Sequence, residues 1–265
     1  MYKVLARLPV PSALPTAEEF VSQEVERMRS YAQRIGVHQA GFLSLGMSMP
    51  DVQSQIDEIV AHESITDRGI DDALSERLSC MVEEGTARLV DDPDAFATSA
   101  LEAIRQLLDD GGTIRSISAR SDGGKPGSTL SRTVHPEASM VSLTMHMEHE
   151  EDYWFVEPRV MRQMLADMVA IWDPDWVSAF PSMYAGTARQ LFPDRMSFGW
   201  MGYTRQKLES GYDVLARVEP LLEGTFLMLS ETVMTMSDAD ISACNRAEAF
   251  LVDKGILPSV QTGPR

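Results

Sequence analysis

The stretch Ser139-Met-Val-Ser-Leu-Thr-Met-His-Met-Glu148 carries the most regular pattern in the chain. If the stretch is a strand, successive side chains point to opposite faces of it, which divides the residues into two sets. The two sets are Val141, Leu143, Met145 and Met147, against Ser142, Thr144, His146 and Glu148. This period is typical of an antiparallel strand with one face on a core.

More strands and helices are predicted on both sides of this stretch. Thr113 to Arg120 alternates as well, and Ser121-Asp-Gly-Gly-Lys-Pro-Gly-Ser128 predicts a turn-rich connection. Pro158 suits the first turn of a helix that runs to about Ile171. Beyond it the patterns predict four strands, near Trp176–Phe180, Met196–Tyr203, Val214–Glu219 and Thr225–Glu231. A last helix is predicted from Asp238, with Ser237 as its cap, to Lys254-Gly255.

The N-terminal part predicts a strand, a helix and a strand before an acidic block. Tyr2 to Leu8 alternates, Thr16 and Glu19 fit a capping box for a helix that ends at Gly36, and Ala40 to Met49 is predicted as a strand. The block at about 51–110 is predicted to be mostly helical, over Asp51–His62, Ile70–Val90 and Asp94–Leu108. We therefore expect an α+β fold, an antiparallel-dominated sheet (or sheets) with packed helices and an acidic helical insertion, in one domain spanning residues 1–265.

The charge of the chain limits its partners. Forty Asp and Glu against 23 Lys and Arg give a net charge of −17 and a pI near 4.6, and residues 51–110 carry 16 carboxylates against four Arg and no Lys. Direct contact with nucleic acid or an anionic membrane is therefore disfavoured, whereas a basic protein partner is permitted.

The expected compartment is the cytoplasm. The apolar start is short and broken by prolines, and no stretch approaches 18 consecutive apolar residues. Two cysteines, Cys80 and Cys244, are too few for a disulfide framework and are predicted to be free and buried.

Motifs for catalysis are scarce. The sequence has no phosphate-binding Gly-rich loop with P-loop spacing and no Gly-x-Ser-x-Gly elbow. His146 and His149 lie among carboxylates, but three residues apart in a strand they point to opposite faces and do not easily converge on one ion. We predict no catalytic residue, no metal and no cofactor, with a metal-dependent hydrolase at His146 and His149 as the alternative.

Two acidic clusters are predicted to contact a partner. One is the run that begins at Glu148 and continues into three aromatic residues, and the other lies at the end of the acidic block. Carboxylates beside aromatic side chains suit the surface of a basic protein. Their residues are Glu148, Glu150, Glu151, Asp152, Tyr153, Trp154 and Phe155, and Asp91, Asp92 and Asp94.

The string Ile171-Trp-Asp-Pro-Asp-Trp176 is predicted to be structural. Pro174 forbids continuation of the preceding helix, and Asp173 suits the turn, while Trp172 and Trp176 can pack the helix end onto the sheet. Asp175 is one residue from Asp173, a spacing at which we expect the two carboxylates to diverge rather than form a catalytic pair. Gly199 and Trp200, in an alternating segment with Phe198 on the same face as Trp200, also look like scaffold, and Trp200 is predicted to be buried.

The same string, together with four later motifs, resembles the immunity protein 52 family of bacterial polymorphic-toxin and type VI secretion systems. The later motifs are Phe198-Gly-Trp-Met-Gly-Tyr203, Val218-Glu-Pro-Leu221 before Gly224-Thr-Phe-Leu227, Asn245-Arg246 in the last helix, and Gly255-Ile-Leu-Pro258. The resemblance covers roughly residues 113–260, and the opening strand, helix and strand more loosely; the acidic block is longer than the family's usual segment.

The resemblance implies an α+β fold, no catalysis, and binding to a cognate toxin with a restriction-endonuclease-like nuclease domain, encoded by an adjacent gene. Binding residues do not carry over from it. A second alternative is an adaptor that loads a secreted effector without inhibiting it.

Overall fold

The computed structural model describes residues 2–35, 40–45, 82–109, 111–121, 128–145, 157–209 and 212–260. Their helices are α1 (Ala17–Arg34), α2 (Pro93–Asp109), α3 (Pro158–Trp172) and α4 (Asp238–Asp253). Their strands are β1 (Tyr2–Arg7), β2 (Ala40–Leu45), β3 (Val82–Arg88), β4 (Arg115–Ser121), β5 (Ser128–His135), β6 (Ala138–Met145), β7 (Trp176–Pro181), β8 (Met201–Thr204), β9 (Arg217–Leu221) and β10 (Gly224–Met228).

The described strands form one ten-stranded sheet in the order β3-β2-β4-β5-β6-β1-β7-β8-β10-β9. All pairings between these strands are antiparallel, which confirms the predicted α+β class. The first strand of the chain lies inside the sheet, where Val4 is opposite Leu143 of β6 on one side and Ala179 of β7 on the other. The two halves of the chain therefore share a sheet.

The main core lies on one face of this sheet, under α1, α2 and α3. In β6 the predicted alternation is observed: Val141, Leu143 and Met145 are buried, whereas Ser142 and Thr144 are only half-buried. The positions from His146 onwards lie outside the described residues. A smaller apolar cluster, which includes Trp176, Phe198 and Leu251, contains residues of α4, β7 and β10.

Helix α1 begins as its sequence predicts. The Thr16 side chain accepts a hydrogen bond from the Glu19 amide at 3.2 Å, and the Glu19 carboxylate accepts one from the Thr16 amide at 2.9 Å. This capping box satisfies two amides that the first turn leaves without helical partners. The predicted cap of α4 is also confirmed, since Ser237 accepts from the Asp240 amide.

The prediction of a helix over Ile70–Val90 is wrong from residue 82 onwards. Val82–Arg88 forms β3, which pairs antiparallel with β2 from Leu45 opposite Val82 to Gly41 opposite Arg88. Gly85 and Thr86 are weak helix formers, and pairing with β2 provides the strand with hydrogen bonds that a local pattern does not reveal. The predicted helices at 51–62 and 70–81 lie outside the described residues, whereas α2 confirms the third.

The strand predictions in the second half of the chain need smaller corrections. Strand β5, which lies between β4 and β6 and pairs with both, is not among the predicted strands, and the strand predicted over Met196–Tyr203 is regular only over Met201–Thr204. Gly199 has a φ of +75°, which interrupts the extended backbone before that strand. Pro220 is tolerated in β9 because β9 is an edge strand.

Candidate partner-binding surface

The predicted carboxylates lie together on an exposed surface: Asp91 and Asp92 precede α2, and Asp94 lies in its first turn. Asp92 is the residue before the helix: its carboxylate accepts a hydrogen bond from the Ala95 amide at 3.1 Å, and its carbonyl accepts from the Phe96 amide at 3.1 Å. Pro93 then fits the first helical position, where no amide hydrogen is needed. The helix therefore begins one residue before the predicted start at Asp94, and Asp92-Pro93 is the sequence signal for that start.

The three carboxylates differ in whether contacts within the chain leave them available to bind a partner. Asp91 lies 3.4 Å from the Arg88 guanidinium in a solvent-exposed pair, and such pairs contribute little. Asp92 is used by the helix cap. The Asp94 carboxylate has no ion pair or hydrogen bond to any residue of the described chain, although its carbonyl accepts from the Thr98 hydroxyl at 2.9 Å. The turn therefore presents Asp94 and Asp91 from a capped, ordered helix start.

The second predicted cluster, Glu148 to Phe155, lies outside the described residues, as do His146 and His149 of the alternative metal site. Within the described residues, no group of three or more His, Cys, Asp or Glu is placed to hold a metal ion. No helix within the described ranges is long and apolar enough to cross a membrane.

The Trp172–Trp176 string ends α3 and starts β7. Trp172 is buried at the last helical position, and Asp173 stops the helix with a left-handed φ of +48°. The prediction that the two carboxylates diverge is wrong, because both contact one guanidinium: Arg205 lies 3.0 Å from Asp173 Oδ1 and 3.3 Å from Asp175 Oδ1. Arg205 follows β8, so the pairing of β7 with β8 brings it to the turn. Pro174 and Trp176 are buried.

A buried ion pair joins this string to α1. Trp172 Nε1 donates to Glu24 Oε2 at 2.9 Å, and Arg132 Nε lies 3.3 Å from the same oxygen. Glu24 and Arg132 are 3% and 5% exposed. Burial lowers the pKa of the Arg132 guanidinium, and the neighbouring Glu24 opposes that change. The pair therefore links α1, β5 and α3 inside the core.

Neither Glu24 nor Arg132 is among the residues singled out from the sequence, although the position of Glu24 in α1 indicates that it is buried. It lies at helical spacing among Phe20, Val21 and Met28 on the apolar face of α1. A carboxylate on such a face needs a partner inside the core. Arg132 left no equivalent signal, because β5 itself was not predicted.

The segment around Gly199 and Trp200 is buried against α4. Trp200 is 0% exposed, as predicted, its Nε1 donates to the Ser230 carbonyl at 2.9 Å, and its ring meets Tyr2 edge-on with centroids 6.1 Å apart. The prediction that Phe198 shares its face is wrong. Phe198 packs against Trp176 at 6.3 Å in the smaller cluster, because the left-handed Gly199 between them turns the backbone.

Helix α4 brings titratable groups to this segment. Glu248 is fully buried, and its Oε1 accepts a hydrogen bond from the Phe198 amide at 2.9 Å, while Oε2 has no hydrogen-bond partner among the described residues. Burial raises the pKa of Glu248, and the hydrogen bond from the Phe198 amide and the nearby Tyr184 hydroxyl oppose that change. Burial and the neighbouring Glu248 also raise the pKa of Cys244 to about 12, so this free thiol stays protonated and unreactive. Cys80 lies outside the described residues.

Comparison with known proteins adds little to this geometry. No family model matches the chain, and no curated protein matches it. The fold is similar to a solved structure, the Pseudomonas aeruginosa T6SS protein PA0821, with a TM-score of 0.43 and 10% sequence identity over 100% of this chain and 76% of that one. At that level the likeness carries no argument about function, and the resemblance to the immunity protein 52 family stays a prediction.

Proposed function

We propose that this protein is a non-catalytic immunity protein that binds and neutralises a cognate toxin. The expected toxin is a restriction-endonuclease-like DNase effector of a type VI secretion system, encoded by an adjacent gene. Support comes from the motifs of residues 171–258, which resemble the immunity protein 52 family, and from a net charge of −17. A DNase carries positive charge where it meets DNA phosphates, and an acidic protein complements that charge.

The observation that carries the proposal is the exposed turn at the start of α2. Asp91 and Asp94 project from a helix start that Asp92 caps, so little ordering is needed when a basic partner approaches. Complementary charge speeds the encounter of two proteins more than it deepens their final affinity. Aromatic anchors supply affinity in most interfaces, and Tyr153, Trp154 and Phe155 remain our candidates for that role.

Association kinetics test the proposal. The toxin encoded beside this gene is expected to bind the purified protein and lose its DNase activity in the complex. The double variant Asp91→Lys with Asp94→Lys is expected to associate more slowly at low salt, with a smaller difference at high salt because ions screen exposed charges. Asp92 is left unchanged, because replacing it removes the cap of α2.

A matched variant controls for the change in net charge. Glu209→Lys with Asp213→Lys alters the charge equally at two exposed positions before β9, at the opposite edge of the sheet from β3. Equal association rates for wild type and both variants at each salt concentration contradict capture by the α2 turn. A complex that forms but retains full DNase activity contradicts neutralisation and indicates the adaptor role instead. Charge reversal at Glu148, Glu150 and Glu151 tests the second acidic cluster in the same assay.

A further inference from the structure

Strand β3 forms one edge of the ten-stranded sheet, and β9 forms the other. Among the described strands β3 pairs with β2 alone, so one side of its backbone has no strand beside it. The N–H and C=O groups along such an edge can pair with a strand from another chain. Proteins usually block a free edge with a proline, a lysine, a bulge or a very short strand.

The two edges of this sheet differ in how they are blocked. Strand β9 contains Pro220, which has no amide hydrogen to offer an added strand. The β3 sequence, Val82-Glu-Glu-Gly-Thr-Ala-Arg88, contains neither proline nor lysine. Its pairing with β2 is regular from Val82 to Gly85, and the register shifts before Arg88. The first four residues of β3 therefore offer a regular edge to an added strand.

The pairing register shows which backbone groups of β3 face the free edge. His135 and Ala138 flank a two-residue turn and therefore form a hydrogen-bonded pair. In agreement, the next carbonyl, that of Ser139, points to the other side and accepts from the Leu8 amide at 2.7 Å. Hydrogen-bonded positions alternate along each strand. Carried from β6 through β5, β4 and β2, this alternation leaves the amide and carbonyl of Glu84 pointing away from β2.

The charge along this edge indicates what can pair with it. Residues 82–94, which include β3 and the start of α2, contain five carboxylates and one arginine, a net charge of −4. Two of these carboxylates, Asp91 and Asp94, belong to the surface already proposed to meet the toxin, and β3 leads directly into it. Like charges oppose pairing with the same edge of a second copy. An extended segment that carries lysine or arginine complements the edge.

We propose that an extended basic segment of the toxin adds to the free edge of β3 as a further antiparallel or parallel strand. Main-chain hydrogen bonds then hold the segment, while the neighbouring carboxylates select basic side chains. An added strand lies about 4.8 Å from β3, beside the start of α2. The inference rests on the proposed function and specifies how the toxin is held.

Hydrogen exchange of the backbone amides tests strand addition in the wild-type protein. The probe is the toxin encoded by the adjacent gene, made inactive by substitution in its nuclease site. We expect the Glu84 amide to exchange at least about tenfold more slowly in the complex, because it gains a hydrogen bond. The amides of β9 are expected to keep their rates. A Glu84 amide that exchanges equally in the free and bound protein overturns the proposal. Protection that rises with the concentration of the free protein also overturns it, because it indicates pairing between copies.

Two variants at one position separate the backbone from the side chain. Glu84→Pro removes the outward amide hydrogen, which an edge strand tolerates, whereas Glu84→Ala removes the same side chain and keeps that hydrogen. We expect the toxin to bind Glu84→Pro at least about tenfold more weakly than Glu84→Ala. Melting temperatures check that both variants fold, and the exchange experiment decides the matter if the proline variant does not.

The outcomes distinguish this inference from the proposed function. If the toxin is bound and inhibited but has equal affinity for both variants, strand addition is wrong and the immunity function stands. If the toxin does not bind the wild-type protein, the proposed function and strand addition are both wrong.

Discussion

Trp172 at the end of α3 donates its indole hydrogen to Glu24 in α1 over 2.9 Å, and the two residues are 148 positions apart in the chain. The same Glu24 oxygen lies 3.3 Å from Arg132 of β5. One buried carboxylate therefore contacts both the end of α3 and strand β5. A buried charge is tolerated only when it is paired and hydrogen-bonded, so loss of this carboxylate leaves Arg132 with an uncompensated charge.

Replacing Glu24 by alanine is therefore expected to destabilise the fold by about 3–5 kcal/mol, the usual cost of breaking a buried ion pair on one side. Urea denaturation measures the change. Glu26→Ala is the matched control, since it makes the same substitution in the same helix at an exposed pair with Arg29 and is expected to cost less than about 1 kcal/mol. Similar losses in both variants contradict the structural role of Glu24.

Trp200→Ala is expected to cost about 3–5 kcal/mol, since it removes a fully buried indole together with its contact to Tyr2. Thermal and urea denaturation report this loss. Binding of the toxin by the folded fraction should persist, because the side chain has no exposed surface to offer a partner. A variant with wild-type stability and no binding contradicts the assignment and places Trp200 in an interface.

Gly199→Ala is expected to prevent stable folding, whereas Gly186→Ala is expected to be tolerated. Both glycines have positive φ, of +75° and +74°, so both substitutions carry the backbone cost of roughly 1–2 kcal/mol. The two positions differ in the free space around them. A methyl group at Gly199 overlaps Phe180 and lies 2.6 Å from the Ala179 carbonyl oxygen, whereas a methyl group at Gly186 has no neighbour within 4 Å. The yield of soluble protein and its melting temperature measure the difference, and equal behaviour refutes the close approach of the two segments.

We expect the free energy of unfolding to depend on pH because Glu248 is buried. Because burial raises its pKa in the folded state, the folded protein holds this proton more tightly than the unfolded chain does. The stabilising contribution is fully present below the ordinary glutamate pKa, about 4.3. It is lost as the pH rises through the higher folded value.

Glu248→Gln keeps an acceptor for the Phe198 amide but cannot ionise. The free energy of unfolding of the wild type, minus that of Glu248→Gln, is expected to fall as the pH rises from about 4 towards neutrality. The comparison cancels the titration of the other carboxylates. Glu223→Gln, at an exposed glutamate, should show a difference that does not follow this trend. A pH-independent difference for Glu248→Gln shows that its carboxyl group titrates normally.

The sequence by itself determined the features that depend on near neighbours in the chain. The alternation in β6, the capping box at Thr16 and the cap at Ser237 each involve residues within four positions, and each is observed as predicted. The α+β class followed from the order of these elements. The exposed position of Asp91 and Asp94 also followed, since charged residues at a turn stay in water.

Tertiary structure alone decided the features that join distant segments. Val82–Arg88 is a strand because β2 is available to pair with it, and Asp173 and Asp175 converge because β8 places Arg205 beside them. Glu24 meets Arg132 and Trp172 only when α1, β5 and α3 pack together. The physical reason is the same in each case: hydrogen bonds and ion pairs act over a few ångströms in space, whereas sequence patterns record only separation along the chain.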